Sequence, residues 1–155
     1  MKTDLVVEAF LIYNNKVLLV YHKKLNFWLP PGGHIEKNET PDETVLREFK
    51  EEVGLDVEIL NRNDVLMEGK IVKQLAVPFY VNVHNVGDHD HCCLFYLCTT
   101  KYPEKIKINK SELKDFGWFS AEELDQKLIP ADVRNIAMKA FDLFKLIQSG
   151  KEKLK

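Results

Sequence analysis

The stretch Gly33–Leu55, GHIEKNETPDETVLREFKEEVGL, decides the reading of this chain. A glycine is followed six residues on by Glu39, and eight residues after that comes Arg47 with Glu48 beside it. Glu51, Glu52, Gly54 and Leu55 close the run. Its second half predicts a helix from Pro41 to Val53. Thr40 is a good N-cap, Pro41 fits the first helical position, and Glu43 completes a Thr-x-x-Glu capping box. Gly54 suits the left-handed position just past the end.

At about 100° per residue, Val45, Leu46, Phe49 and Val53 share one arc, and Glu48, Glu51 and Glu52 share another centred about 120° away. The acidic stripe therefore flanks the buried stripe and is expected to line a cleft. Three carboxylates that close repel one another, Glu48 and Glu52 form a like-charged i,i+4 pair, and the C-terminal end of a helix disfavours anions. A divalent cation would relieve this, and carboxylate oxygens suit Mg²⁺ or Mn²⁺. The plain alternative is a solvated acidic face with Arg47 and Lys50 as counter-ions.

The whole string resembles the Nudix box, G-x5-E-x7-R-E-U-x-E-E-x-G-U with U a bulky apolar residue. Gly33, Glu39, Arg47, Glu48, Phe49, Glu51, Glu52, Gly54 and Leu55 occupy every fixed position. Phe49 stands where the family usually has an aliphatic residue, a change that bears on packing more than on chemistry. The resemblance implies an α/β Nudix fold, an α/β/α sandwich around a central mixed β-sheet. It implies hydrolysis of a diphosphate linked to another moiety, typically a nucleoside diphosphate derivative, with Mg²⁺ or Mn²⁺ as cofactor. Glu48 and Glu52 would be the main metal ligands, Glu51 a further ligand, and Gly33 would offer a backbone carbonyl. Arg47 would pair with a box glutamate such as Glu39 and orient the loop. No covalent nucleophile is required, because the ion polarises the diphosphate and lowers the pKa of a bound water. A Nudix-like module that binds without turnover, or a purely structural acidic helix, would carry some of the same residues, although loss of turnover usually shows as a broken box.

Outside the box the resemblance points to fewer residues. Glu112 sits where some members place a further base or ligand, and Asp132 where some relatives read a purine edge; a solvated loop acid and ordinary dipole complementation are the plain readings of these two. Phe27 and Trp28 offer rings for stacking or for the core, and Lys23 and Lys24 offer cations for phosphates. His84, His89, His91, Cys92 and Cys93 form a cluster the family does not explain. A Zn²⁺ site is imaginable there, but the paired C-x2-C or H-x3-H spacing of structural zinc is missing. Substrate-facing or surface histidines are the other readings.

The remaining sequence sets bounds. A chain of 155 residues, 45% hydrophobic and 30% charged, fits one domain over residues 1–150 with a frayed tail at 151–155. A net charge of −2 gives no general attraction to nucleic acid or membranes, and a small nucleotide substrate is what the family resemblance implies. No apolar run approaches the roughly 20 residues of a membrane span. The N-terminus lacks the features of a signal peptide, and a cytoplasmic location follows as a default. Cys92 and Cys98 share a strand face but lie roughly 20 Å apart, so three reduced thiols are expected. A homodimer, common in the family, is compatible with the sequence.

In chain order, Leu5–Ile12 and Lys16–Tyr21 read as a hairpin across Asn14-Asn15. Gly32-Gly33 allow positive φ or close approach. Strands are expected at Leu55–Leu60, within Ile71–His84, at His91–Thr100 and at Phe116–Phe119, with a loop at 61–70. Ser120 and Glu123 predict a short capped helix. A longer helix follows Pro130, with Val133, Ile136, Ala137, Ala140, Phe141 and Phe144 on one face.

Overall fold

The first strand explains the layers. β1 (Thr3–Tyr13) is a nearly unbroken apolar run, which suits a strand buried on both faces. Its residues alternate between two cores. Val6, Phe10 and Ile12 pack into one and Val7, Ala9 and Leu11 into the other. The same alternation runs through β2 (Lys16–His22) and β7 (Asp90–Thr99). The first core is closed by α2 (Ala131–Lys153), the second by α1 (Pro41–Val53). The result is the expected sandwich of helix, sheet and helix, here in a computed structural model that describes residues 2–153 and the side chains of residues 2–150.

The other strands are β3 (Trp28–Leu29), β4 (Gly32–His34), β5 (Glu58–Ile59), β6 (Tyr80–Asn85) and β8 (Leu113–Phe119). The sheet order is β3-β2-β1-β7-β5, with β4 added to β1, β6 to β7 and β8 to β2. β1 and β7 run parallel from Thr3↔Asp90 to Leu11↔Cys98, and the other pairs are antiparallel, so the sheet is mixed. Asn14 and Asn15 turn the first hairpin at φ 51° and 60°, the positive values that a two-residue hairpin demands.

α1 ends where the sequence places it. Thr40 accepts from the Glu43 amide while Glu43 reaches back to Thr40, and Gly54 caps the far end at φ 69°. The buried arc is turned from the expected one. Val45, Phe49 and Val53 are buried as predicted, but Leu46 is 44% exposed and Glu52 only 4% exposed. The helix is rolled toward its acidic flank, so a glutamate takes the place in the wall that pattern alone assigns to a leucine.

Several boundaries differ from expectation. Of Leu55–Leu60 only Glu58–Ile59 is strand, and of Ile71–His84 only the part from Tyr80. The segment before Tyr80 is held by an isolated Arg62–Ala76 bridge, by the Val77 and Phe79 amides donating to the Asn61 and Phe95 carbonyls, and by side chains, instead of a continuous ladder. Buried Asp42 accepts from the Ala76 amide at 3.1 Å and from Arg62 at 3.3 Å, and Asn61 donates to the Val77 carbonyl at 3.0 Å. The Ser120–Glu123 capping bonds form, but they lead only into the 3₁₀ turn Glu122–Leu124. β8 begins three residues earlier than expected, and α2 runs through Lys153; of the tail expected at 151–155, residues 154 and 155 lie outside the described residues. The cysteines are free thiols. No helix among the described residues is long and apolar enough to cross a membrane.

Candidate active site

β4 and α1 build the site together. Gly33 pairs with Val7, a residue of the α1-side core, so Gly33 faces that helix. It carries no positive φ; its purpose is close approach. A Cβ at Gly33 would lie 2.2 Å from Glu48 Oε1, and one at Gly32 would lie 2.1 Å from the Val7 carbonyl oxygen. Only glycines let this strand sit under the helix. The Gly32 amide donates to Glu52 Oε2 at 3.0 Å, which fixes one oxygen of the buried carboxylate.

Arg47 organises the remaining acids. Its guanidinium makes two bonds to Glu39, at 2.7 and 3.0 Å, a bidentate fork. It also donates to Glu48 at 2.9 Å, to Glu51 at 3.3 Å and to the His34 carbonyl at 3.0 Å. Thr44 adds a 2.6 Å bond to Glu39. The Arg47 guanidinium holds the Glu39 carboxyl down at about 2, from an ordinary 4.5. Arg47 thus serves the loop and the helix at once, the pairing expected from the sequence.

One guanidinium does not neutralise this wall. Burial first, and then repulsion by Glu48, pushes the Glu52 carboxyl up to about 9. Burial also raises Glu48, against the attraction of Arg47, with Glu51 and Glu112 adding repulsion. Glu48, Glu51, Glu52, Arg47 and Gly33 line one cleft of about 770 Å³. Glu112 lines it too, from the segment just before β8, so the structure brings these five box residues together with the acid outside the box, while Glu39 is tied to them through Arg47 and Phe49 lies in the α1-side core. The donors are hard oxygens, crowded and short of positive charge. Such a set fits a Mg²⁺ or Mn²⁺ ion and the residues that would hold it.

The aromatic and distal candidates lie differently. Trp28 packs edge-on against Tyr21 and Phe119, with ring centroids 5.2 and 5.0 Å away, and its amide donates to the Leu128 carbonyl. It is a partly buried rim of the α2-side core. Phe27 is 42% exposed, and neither ring lines the cleft. Asp132 is exposed at the start of α2, outside the cleft lining, yet close enough to Glu8 for its charge to raise that carboxyl. Lys23 and Lys24 do line the cleft, with His22 beside them.

Glu8 was not anticipated. It is the one charged residue within the apolar run Leu5–Ile12 of β1, and that interruption was the available signal. It lines a recess of about 140 Å³ that shares Gly32, Gly33, His22 and His34 with the main cleft. Burial and the Asp132 charge push its carboxyl up to about 8.

The sequence profile of the NUDIX domain matches residues 2–140. The chain belongs to the Nudix hydrolase family. Its Nudix relatives include an RNA pyrophosphohydrolase from Hydrogenovibrio crunogenus, 34% identical over 116 residues, which are 71% of this chain and 68% of that protein. A dihydroneopterin triphosphate diphosphatase from Haemophilus influenzae is 28% identical over 143 residues, 79% of this chain and 85% of the other. The crystal structure of a NUDIX-family hydrolase from Clostridium perfringens superposes with a TM-score of 0.82 at 33% identity, over 93% of this chain and 99% of that one. Nudix membership makes this chain an enzyme of the pyrophosphohydrolase kind.

Proposed function

We propose that this single domain hydrolyses a diphosphate linkage in a small nucleoside diphosphate derivative, using water activated by Mg²⁺ or Mn²⁺. One observation carries the reading. Glu48 and Glu52, braced by Arg47 and the Gly32 amide, converge with Glu51 and Glu112 on one cleft whose acids outnumber its nearest cation. The named relatives support it, since both are named for cleaving a pyrophosphate or diphosphate.

The residues divide the work. Glu48, Glu52 and the Gly33 carbonyl would hold the ion, with Glu51, more than half exposed, a ligand on the solvent side. When bound, the ion supplies charge neutralisation at the phosphates and a water of lowered pKa. Glu112 faces the box acids across the cleft and is suited to take the proton of that water. Lys23 and Lys24 on the cleft rim offer positive charge to the phosphates. Arg47 positions Glu39, Glu48 and the β4 backbone, and we assign it no contact with substrate. The recess at Glu8, with Asp132 behind it, is suited to the leaving moiety, because a protonated carboxyl can donate a hydrogen bond as well as accept one. Phe27, exposed outside the cleft lining, offers a ring for stacking.

Product analysis tests the reading. The protein is incubated with oxidised nucleoside triphosphates, a pterin triphosphate, ADP-ribose, other nucleotide sugars, dinucleoside polyphosphates and 5′-triphosphate RNA, with Mg²⁺, with Mn²⁺ and with chelator. The expected result is chelator-sensitive release of pyrophosphate or of two monophosphate products from one class far above the rest. A folded, metal-loaded protein that binds a nucleotide but turns over none of the panel would identify a binding module instead.

A further inference from the structure

A second group of ligand atoms lies across the sheet from the box carboxylates. Asp4 on β1, His34 on β4, His89 in the β6–β7 turn and His91 on β7 bring one ligand atom each to within 4.8 Å of all the others. Three strands that meet nowhere else in sequence supply them. Val6 pairs with His34 and Asp4 with His91, so strand register places both histidines beside the start of β1.

The spacing is that of a coordination shell. His34 Nε2 lies 3.1 Å and His89 Nε2 3.5 Å from Asp4 Oδ2, and the Nε2 atoms of His89 and His91 are 3.1 Å apart. Ligands at about 2.0–2.1 Å from a tetrahedral ion are separated by about 3.3–3.4 Å. His89 has the outer support such a ligand needs, because its Nδ1 lies 2.6 Å from Asp88 Oδ1. An imidazole that donates through Nδ1 to a carboxylate presents its Nε2 lone pair inward. Asp4, His34 and His89 keep part of their side chains at the surface, which leaves a path of entry.

We propose that Asp4, His34, His89 and His91 form a tetrahedral site for Zn²⁺, distinct from the oxygen-only site of the box. The donor chemistry sorts the two metals. Imidazole nitrogens suit zinc, and carboxylate and carbonyl oxygens suit Mg²⁺ or Mn²⁺. Cys92 and Cys93, the neighbours that sequence offers as partners, are replaced here by Asp4 and His34, which lie 85 or more and 55 or more residues earlier in the chain than His89. The site ties the start of β1, the β6–β7 turn and the strand that carries Gly33. The His34 carbonyl also accepts from Arg47, so zinc at this position steadies the strand beneath Glu48.

The alternative without metal is His89 held only by its contacts to Asp4 and Asp88. Zinc uptake separates the two. The chelator-stripped protein is titrated with Zn²⁺ by calorimetry and with Co²⁺ by visible absorption, in a Glu48→Gln/Glu52→Gln background that removes the box site. The expected result is one Zn²⁺ per chain, intense tetrahedral Co²⁺ bands, and a rise in Tm with zinc. His91→Ala and, separately, His34→Gln abolish all three while circular dichroism shows the folded chain. Asp88→Asn weakens zinc by about 10-fold, the effect of losing an outer-shell partner. A folded background protein that takes up no zinc overturns the site, as does uptake that survives both His91→Ala and His34→Gln. Neither result bears on hydrolysis at the box, which is read with Mg²⁺ or Mn²⁺ in the parent chain.

Discussion

The two helices cover opposite faces of one sheet and are built to different ends. α2 buries Val133, Ile136, Ala137, Ala140 and Phe141, and Asp132, Asn135, Lys139 and Asp142 face outward. α1 buries Val45, Phe49 and Val53 but also Thr44, Asp42 and Glu52. A helix selected for packing would place Leu46 where Glu52 lies. α1 instead carries a carboxyl pushed to about 9 by burial and by its neighbour. One helix stabilises the fold, and the other accepts a destabilising arrangement that a bound cation would relieve.

That contrast can be sharpened by mutation. Phe141→Ala should cost about 3–5 kcal/mol of stability, the usual range for a buried Phe, measured by urea unfolding. The variant that remains folded should keep the parent metal requirement and KM. Gly33→Ala should do the converse. Its Cβ would displace Glu48 from a 2.2 Å contact, so kcat/KM should fall by about 100-fold or more while Tm falls by only a few degrees, since a single carboxylate tip must shift.

A third test concerns the Arg47–Glu39 fork. The folded carboxyl of Glu39 lies near 2 and the unfolded one near 4.5. Because the folded value is depressed, the contribution is fully present above pH 4.5 and is lost as pH falls through about 2. Glu39→Gln should therefore lower stability at neutral pH by about 1–2 kcal/mol, allowing for solvent screening. The gap between parent and variant should close between pH 4.5 and 2 in acid unfolding curves. Smallest of all, Thr40→Ala should cost about 1 kcal/mol by removing the capping box of α1, with kcat unchanged in the folded fraction.

Much of this was legible in the sequence. The ends of α1 are written in Thr40, Pro41, Glu43 and Gly54, residues whose local chemistry leaves few options. The layers were legible in β1 because a buried strand reads as an apolar run. Gly33, Arg47, Glu48, Glu51, Glu52 and Glu112 were named from spacing and resemblance, and the fold brings them to one cleft. What was hidden depends on register. Leu46 and Glu52 exchange places because rotation about the α1 axis is set by the sheet beneath, which helical periodicity does not describe. Within Ile71–His84, where one or two strands are expected, a single strand starts at Tyr80 just past Pro78, and the chain before it is tied down by Asp42, far upstream, which accepts from the Ala76 amide. The metal-like group at Asp4, His34, His89 and His91 was half visible as a histidine cluster, and its other half comes from strands that only the fold brings alongside.

The central claim is that the acidic wall of α1 exists to hold a catalytic cation. The direct measurement is hydrolysis of the best panel substrate by parent and Glu52→Gln across a Mg²⁺ titration, with Tm recorded for both without metal. The account predicts a fall of about three orders of magnitude in rate, the several kcal/mol that a bound ion contributes. It also predicts a metal-free Tm no lower than the parent's, because the substitution removes a buried carboxyl that Glu48 repels. Parent-like turnover by folded Glu52→Gln would contradict it.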